Sequence, residues 1–313
     1  MKNYLAFDIG GTTIKHAIVD DKGKITERNA FETMDDAQKI VDQMISVFEK
    51  SNSTQKIEGI GISTPGIIRK DGYQVTGGAI GSLYNFPLGK TIAEKSGLEV
   101  QVENDANAAA IAEHWIGNAI GCDNYLTIVL GTGVGGGIVL NGDVYRGAHG
   151  VAGEFGWNII HDPDFTRELE NYSLNFHAAV VLGLIRRYQK NLAQIGISEK
   201  SKDAKQILDL AQNNDPLAQK SVNDFIQDIS IMLLNLFATF DPELILIGGG
   251  ISANDYFMDL LNQKFTEYCR RHGRINRIKD QSLGAIKPAK LLNDAGLVGA
   301  AYRIKTYLEK KHL

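Results

Sequence analysis

Apolar residues in this chain fall in short runs separated by glycine and polar turns. Tyr4 to Ile9 predicts a buried strand, the turn Gly10-Gly11-Thr12-Thr13 follows, and Ile14 to Val19 returns as a second strand. Lys24 to Phe31 alternates as a third. Asp35 to Lys50 changes period: Ile40, Met44, Val47 and Phe48 share one helical face. Ile57 to Ser63 predicts a strand ending in Thr64-Pro65-Gly66. Residues 70 to 86 are loop-rich, and 97 to 102 lead into another strand. Ala106 to Trp115 is built from strong helix formers and follows Asn104-Asp105, residue types that favour helix starts.

The second half repeats the plan. Leu126 to Leu130 and Ile138 to Leu140 predict two strands, and five of the seven residues from 131 to 137 are glycine. Residues 159 to 170 have no period and predict a loop. Tyr172 to Leu192, Ala204 to Gln212 and Pro216 to Phe240 predict helices. Glu243 to Ile247 predicts a strand running into Gly248-Gly249-Gly250. Tyr256 to His272 predicts a helix, Leu283 to Ala289 a strand, and Asn293 to Leu308 a last helix. Strands open each half and helices follow, an α/β pattern. The strings FDIGGTTIKHAIVDDKG and IVLGTGVGGGIVLNGDV are two copies of strand, glycine turn, strand and polar turn, which predicts two similar domains. The boundary is expected near Gly117 to Gly121.

Glycine-rich turns admit close backbone approach and present several N–H groups to an anion. Two familiar anion motifs do not apply. Gly131-x-Gly133-x-x-Gly136 matches the dinucleotide string, but the residues that follow read as strand and tight turn rather than helix. Gly89-Lys90-Thr91 ends like a P-loop, but position 84, where its first glycine belongs, is Tyr84. A glycine-rich hairpin without a ligand is the plainer alternative, and glycine weakens a strand interior.

Composition narrows the class. The chain has 313 residues, 43% apolar and 22% charged, which suits a two-domain globular protein. A net charge of −4 offers no basic footprint for nucleic acid. The two cysteines, Cys122 and Cys269, form no zinc spacing and no disulfide framework, so a cytoplasmic setting is expected. The N-terminus runs straight into a strand, so no signal peptide is expected, and no apolar run predicts a membrane span.

Asp8 stands where a buried strand opens onto a glycine turn. It reads as a turn cap or as a magnesium and phosphate residue. Its neighbours Gly10, Gly11, Thr12 and Thr13 favour the second, with magnesium held mostly through its waters. Lys15 reads equally as a phosphate contact and as an exposed strand lysine. Asp105, at a helix start, is either a helix cap or the carboxylate that takes a proton from a sugar hydroxyl attacking ATP. Glu154 lies between glycines in Gly150-Val151-Ala152-Gly153-Glu154-Phe155-Gly156-Trp157, where it can meet a polar ligand. Trp157 suits stacking on a sugar or filling core. His149, His161 and His177 have no spacing that points to a metal.

Six ordered motifs carry a resemblance. They are Asp8-Ile-Gly-Gly-Thr-Thr-Ile-Lys15, Ser63-Thr-Pro-Gly66, Glu103-Asn-Asp-Ala-Asn-Ala-Ala-Ala110, Leu130-Gly-Thr-Gly-Val-Gly-Gly-Gly137, Gly153-Glu-Phe-Gly156 and Ile247-Gly-Gly-Gly-Ile251. Together they resemble the ROK family (repressors, open reading frames, kinases) over nearly the whole chain. The resemblance implies an actin-like, ribonuclease H-like pair of α/β domains with a cleft. The expected N-terminal domain is 1–118, completed by the C-terminal helix 294–313, and the larger domain is 119–293. It also implies an ATP- and Mg²⁺-dependent carbohydrate kinase, a homodimer, acting on the 6-hydroxyl of a hexose, hexosamine or glucoside.

By position, Asp105 resembles the family's catalytic base, and Asn104, Glu154, Gly66 and Gly78 its sugar contacts. Gly10 to Thr13, Gly131, Thr132, Gly133 and Gly135, and Gly248, Gly249 and Gly250 resemble its nucleotide turns. Trp157 stands where most members have histidine, and the cysteines that follow it there are missing, so no zinc site is expected. Glu170 is the nearest match to a further sugar-binding glutamate. The sequence looks most like the zinc-free subgroup of β-glucoside kinases and proteins labelled N-acetylmannosamine kinases. The family's regulators add an N-terminal helix-turn-helix, for which the first turn at residue 10 leaves no room. A sugar sensor without catalysis is the other rival, and the presence of Asp8, Asp105 and both glycine turns argues against it.

Overall fold

A computed structural model describes residues 2–198 and 203–311. The chain divides into two compact units, one formed by Met1–Gly121, Val144–Ala152 and Asn293–Leu313, the other by Cys122–Asp143 and Gly153–Leu292. The strands are β1 (Asn3–Ile9), β2 (Thr13–Asp20), β3 (Ile25–Glu32), β4 (Ile60–Thr64), β5 (Val100–Asn104), β6 (Tyr125–Leu130), β7 (Val134–Leu140), β8 (Asp143–Val144), β9 (Leu244–Gly248) and β10 (Ala285–Pro288). The helices are α1 (Ala37–Thr54), α2 (Leu88–Ser96), α3 (Asp105–Ile116), α4 (Leu174–Ala178), α5 (Arg186–Gln194), α6 (Ala204–Gln212), α7 (Pro216–Phe240), α8 (Asp255–Arg271), α9 (Ile275–Ile278) and α10 (Ala295–Lys311).

One unit holds a sheet in the order β3-β2-β1-β4-β5, and the other holds β10-β9-β6-β7-β8. Read from β8, the second order follows the first strand for strand. In both, an antiparallel hairpin sits at the centre (β1–β2, β6–β7) and a parallel strand flanks its first member (β4, β9). The repeat expected from the two glycine-turn strings is therefore a repeat of sheet topology. The fold is the two-unit α/β architecture of the actin-like, ribonuclease H-like class.

Burial explains the elements. In the first unit Leu5, Phe7 and Ile9 of β1 pack with Ile14, Ile60 and Ile62 and with the apolar face of α1. Ile40, Val41, Met44 and Phe48 make that face. Truncating a side chain as buried as Met44 to alanine costs about 2–5 kcal/mol. The other face of the sheet, Tyr4, Ala6, Ala17 and Val19, packs under Leu297, Ala300, Ala301 and Ile304 of α10. Gly61 and Gly299 let α10 settle closely: a Cβ on Gly61 would stand 2.0 Å from the Ala300 carbonyl oxygen, and one on Gly299 1.9 Å from that of Ala108 on α3.

Three local expectations differ from the structure. The helix expected over Tyr172–Leu192 is broken: α4 ends at Ala178, Ala179 is extended at φ −69°, ψ 147°, and a π-turn over Val180–Ile185 leads into α5. The break has a tether, since Val180 N donates to the Gly131 carbonyl at 2.8 Å. Helix α2 was not anticipated, although Pro87 precedes it and Gly97, left-handed at φ +70°, stops it. Gly135, Gly136 and Gly137 lie inside β7 rather than in the turn before it, paired with Val129, Ile128 and Thr127.

Candidate functional site

In the first unit the candidate residues gather at one edge of one sheet. Strands β1, β4 and β5 are parallel, and their register aligns Asp8 with Ser63 and Ser63 with Glu103. Asn104 and Asp105 follow immediately. Carboxyl ends of parallel strands are where open α/β sheets bind ligands. Two strand spacings separate the Asp8 row from the Glu103 row, on the order of 10 Å. Asp8 and Asp105 therefore share one edge, as a common reaction requires.

Asp8 Oδ1 accepts from Ser63 Oγ at 2.9 Å, and Lys15 Nζ reaches Asp8 Oδ2 at 3.4 Å and the Asn293 carbonyl at 3.3 Å. The N-terminus of α10 stands over this carboxylate: a Cβ on Gly296 would lie 2.2 Å from Asp8 Oδ1. The sequence reading missed Ser63 and Gly296. The tight, polar approach Asn293-Asp294-Ala295-Gly296 was the available signal. Gly10, Gly11, Thr12 and Thr13 form the adjoining turn, closed by Gly10 N donating to the Thr13 carbonyl at 3.0 Å, and residues 11 to 13 are exposed. A partly exposed carboxylate beside a hydroxyl and an open amide turn suits a magnesium ion, which keeps most of its waters and binds with substrate phosphates.

Asp105 is the first residue of α3, and the cap is its neighbour. Asn104 Oδ1 accepts from Ala106 N at 2.9 Å and Asn107 N at 3.2 Å, while its Nδ2 donates to the Gly66 carbonyl at 3.0 Å. With capping assigned to Asn104, the exposed Asp105 carboxylate, which also accepts from Ala106 N at 2.8 Å, is presented at the helix start. Gly66 has φ +97°, and a Cβ there would meet the Thr76 carbonyl at 2.1 Å. Gly78, at φ +59°, stands over Pro65. Gly66, Gly78 and Asn104 thus form one continuous wall.

Behind Asn104, Glu103 is buried with its side chain 3% exposed. Arg146 Nε donates to Glu103 Oε2 at 3.1 Å, Arg146 Nη2 forms a second bond to that oxygen, and Asn107 Nδ2 donates to Oε1 at 3.2 Å. Arg146 comes from Val144–Ala152, far off in sequence, and no local pattern marked it.

In the second unit the turns also lie at one sheet edge. β6 and β9 are parallel, with Val129 aligned to Gly248. Gly131, Thr132 and Gly133 turn beyond β6, closed by Gly131 N donating to the Gly133 carbonyl at 2.9 Å. Protein atoms do not demand glycine at every position. A Cβ on Gly131 would meet nothing nearer than 4.0 Å, and one on Gly250 nothing within 4 Å. Gly249 differs: its Cβ would fall 2.0 Å from the Leu130 carbonyl. Gly136 is also structural, because its Cβ would strike the Phe155 ring at 2.3 Å. Gly131 therefore belongs to an open turn, and Gly136 to packing under Phe155.

Glu154 opens the 3₁₀ turn Phe155–Trp157, and burial pushes its carboxyl above the usual range. Trp157 is 59% exposed, which rules out the core-filling role. Glu170 is exposed on the 3₁₀ turn Leu169–Tyr172, whose end is tied by Ser173 Oγ donating to the Glu170 carbonyl at 2.7 Å.

The chain is similar to proteins of known class. The ROK family model matches residues 4–306. A β-glucoside kinase of Listeria innocua is 35% identical over 300 residues, covering 95% of each chain. A ROK hexokinase structure from Thermus thermophilus superposes with a TM-score of 0.81 at 28% identity, over 99% of this chain and 100% of that one. A ROK family glucokinase from Streptomyces griseus, solved with glucose and AMPPNP, gives 0.78 at 27% identity, over 96% and 98%. A family match spanning nearly the whole chain shows that this protein belongs to the ROK family.

Proposed function

We propose that the chain is a carbohydrate kinase that transfers the terminal phosphoryl group of ATP, with Mg²⁺, to the 6-hydroxyl of a hexose, hexosamine or glucoside. The observation that carries the reading is the alignment of Asp8, Ser63 and Asn104-Asp105 along one carboxyl edge of one sheet. Phosphoryl transfer asks a protein mainly for positioning and charge stabilisation. Asp105 aims the acceptor hydroxyl and takes its proton. Asn104 fixes the helix start and braces Gly66, so that the sugar wall and the base move as one piece. Asp8, with Ser63 and Lys15, holds the hydrated magnesium and the phosphates. The glycine turns at Gly131 to Gly133, with Gly135, and at Gly248 to Gly250 take the nucleotide.

In the second unit, Glu154 is the residue that accepts from a sugar ring hydroxyl, Trp157 the one that offers its face, and Glu170 a further sugar contact. The Listeria innocua relative supports a β-glucoside among the acceptors. The same reading takes the working form to be a cytoplasmic homodimer, which light scattering tests. The deciding experiment is an ADP-release screen across glucose, N-acetylmannosamine, N-acetylglucosamine, mannose, fructose and cellobiose, with the product examined by NMR. The expected result is turnover with at least one acceptor and phosphate on its 6-oxygen. Sugar binding by calorimetry without ADP release would identify a sensor instead.

A further inference from the structure

Apart from the candidate kinase residues, the second unit brings together two histidines and a buried acid that lie 16 and 51 residues apart in sequence. His161 sits in the stretch between the 3₁₀ turns 155–157 and 169–172, His177 on α4, and Asp228 in the middle of α7. One ligand atom from each lies within 4.8 Å of the other two. We propose that His161, His177 and Asp228 form a binding site for a divalent transition-metal ion of the zinc type, with His161 Nε2, His177 Nδ1 and Asp228 Oδ1 as ligands.

The hydrogen bonds assign those atoms. His177 Nε2 stands 2.9 Å from the Asn171 carbonyl oxygen, which can only accept, so Nε2 carries the proton and Nδ1 keeps its lone pair. A metal-bound histidine is commonly oriented in this way, its other nitrogen donating to a carbonyl. His161 Nε2 is 3.1 Å from Asp228 Oδ1, near the spacing of roughly 3.4 Å between ligands of tetrahedral zinc. The Asp228 side chain is 4% exposed, and its other oxygen, Oδ2, accepts from Arg187 Nη2 at 2.6 Å. Outer hydrogen bonds of this kind fix a ligating carboxylate. Arg187 is also the main opposing charge: its Nη2 donates a long bond to His177 Nδ1 at 3.5 Å, which an ion would displace, while its short bond to Oδ2 leaves Oδ1 facing the histidines.

Two imidazoles and one carboxylate suit zinc, cobalt or nickel and not magnesium, which selects an all-oxygen shell. The His161 side chain is 39% exposed, so an ion has a path in and a water can fill a fourth position. The ion would tie the loop that follows Glu154 and Trp157 to α7. The proposed site uses none of the cysteine spacing on which the expectation of no zinc rests, and tertiary structure alone assembles it.

The test is zinc titration of the metal-stripped full chain against a chromophoric chelator, with visible absorption of the cobalt form as a second readout. One zinc per chain is expected, with a tetrahedral cobalt spectrum and a raised thermal midpoint. His161→Asn and His177→Asn should each weaken zinc by about 10–100-fold or more, since loss of even an outer partner costs that much. His272→Asn should leave it unchanged, and magnesium should not compete. Circular dichroism of the variants checks their folding. No uptake, or equal uptake by the wild type and the double variant, would overturn the proposal. ADP release in magnesium is read separately, so a failure here leaves the kinase reading standing.

Discussion

Gly296→Ala probes the Asp8 end of the site without removing a polar group. The new Cβ would start 2.2 Å from Asp8 Oδ1, 2.5 Å from Cγ and 2.9 Å from Oδ2. Ordinary contact needs about 3.5 Å, so something must yield by about 1.3 Å. Helix α10 is poorly placed to yield, because Leu297, Val298, Ala300 and Ala301 are buried and Gly299 lies against the Ala108 backbone. The Asp8 side chain gives way instead, at an off-rotamer cost of about 0.5–1.5 kcal/mol, and loses its bond to Ser63. Alanine offsets up to about 1 kcal/mol of that through helix propensity. Net stability therefore changes by about 1 kcal/mol or less. Turnover should fall by about 10²-fold, the cost of misplacing a positioned group by roughly an ångström. The assay pairs steady-state ADP release with urea unfolding. Gly299→Ala is the contrast: its Cβ meets fixed backbone at 1.9 Å, so stability should fall first. Wild-type turnover in Gly296→Ala, or a loss that merely tracks unfolding, would refute the role given to Asp8.

Other outcomes follow from the same geometry. Arg146→Ala strips the main partner from buried Glu103 and should cost about 3 kcal/mol in urea unfolding, the low end for a broken buried pair because Arg303 Nε remains at 3.5 Å. The raised carboxyl of Glu154 means that its ionisation opposes folding: stability is fully present below the unfolded carboxylate range and falls as pH rises through the folded value. Glu154→Gln should therefore unfold at a higher temperature than the wild type at pH 7 and lose that advantage in acid, while binding the acceptor sugar more weakly by calorimetry. Chelating magnesium with EDTA should abolish ADP release, and magnesium should restore it.

The parts legible in the sequence were those with local causes. Strand–turn–strand units announce themselves through period and glycine, so the repeat of sheet topology was visible in two strings. Asn104 and Asp105 declared a helix start, although which of them caps it needed the bonds that Ala106 N and Asn107 N donate to Asn104 Oδ1. Pairings made across the chain stayed hidden. Arg146 and Glu103 are 43 residues apart. Gly296 meets Asp8 only because α10 packs on the first sheet. Gly136 is glycine because the Phe155 ring lies over it, a packing reason that no local string displays. The helix expected over 172–192 failed because Val180 bonds the Gly131 carbonyl, a tertiary contact that outweighs local propensity.

The central claim is that Asp105 receives the proton of a sugar hydroxyl during transfer from ATP. Single-turnover phosphoryl transfer by Asp105→Asn, alongside calorimetric sugar binding, tests it most directly. The account predicts a rate lower by roughly 10²–10⁴-fold, the range for a positioned general base, with sugar affinity retained. A near-normal rate with intact sugar binding would contradict it.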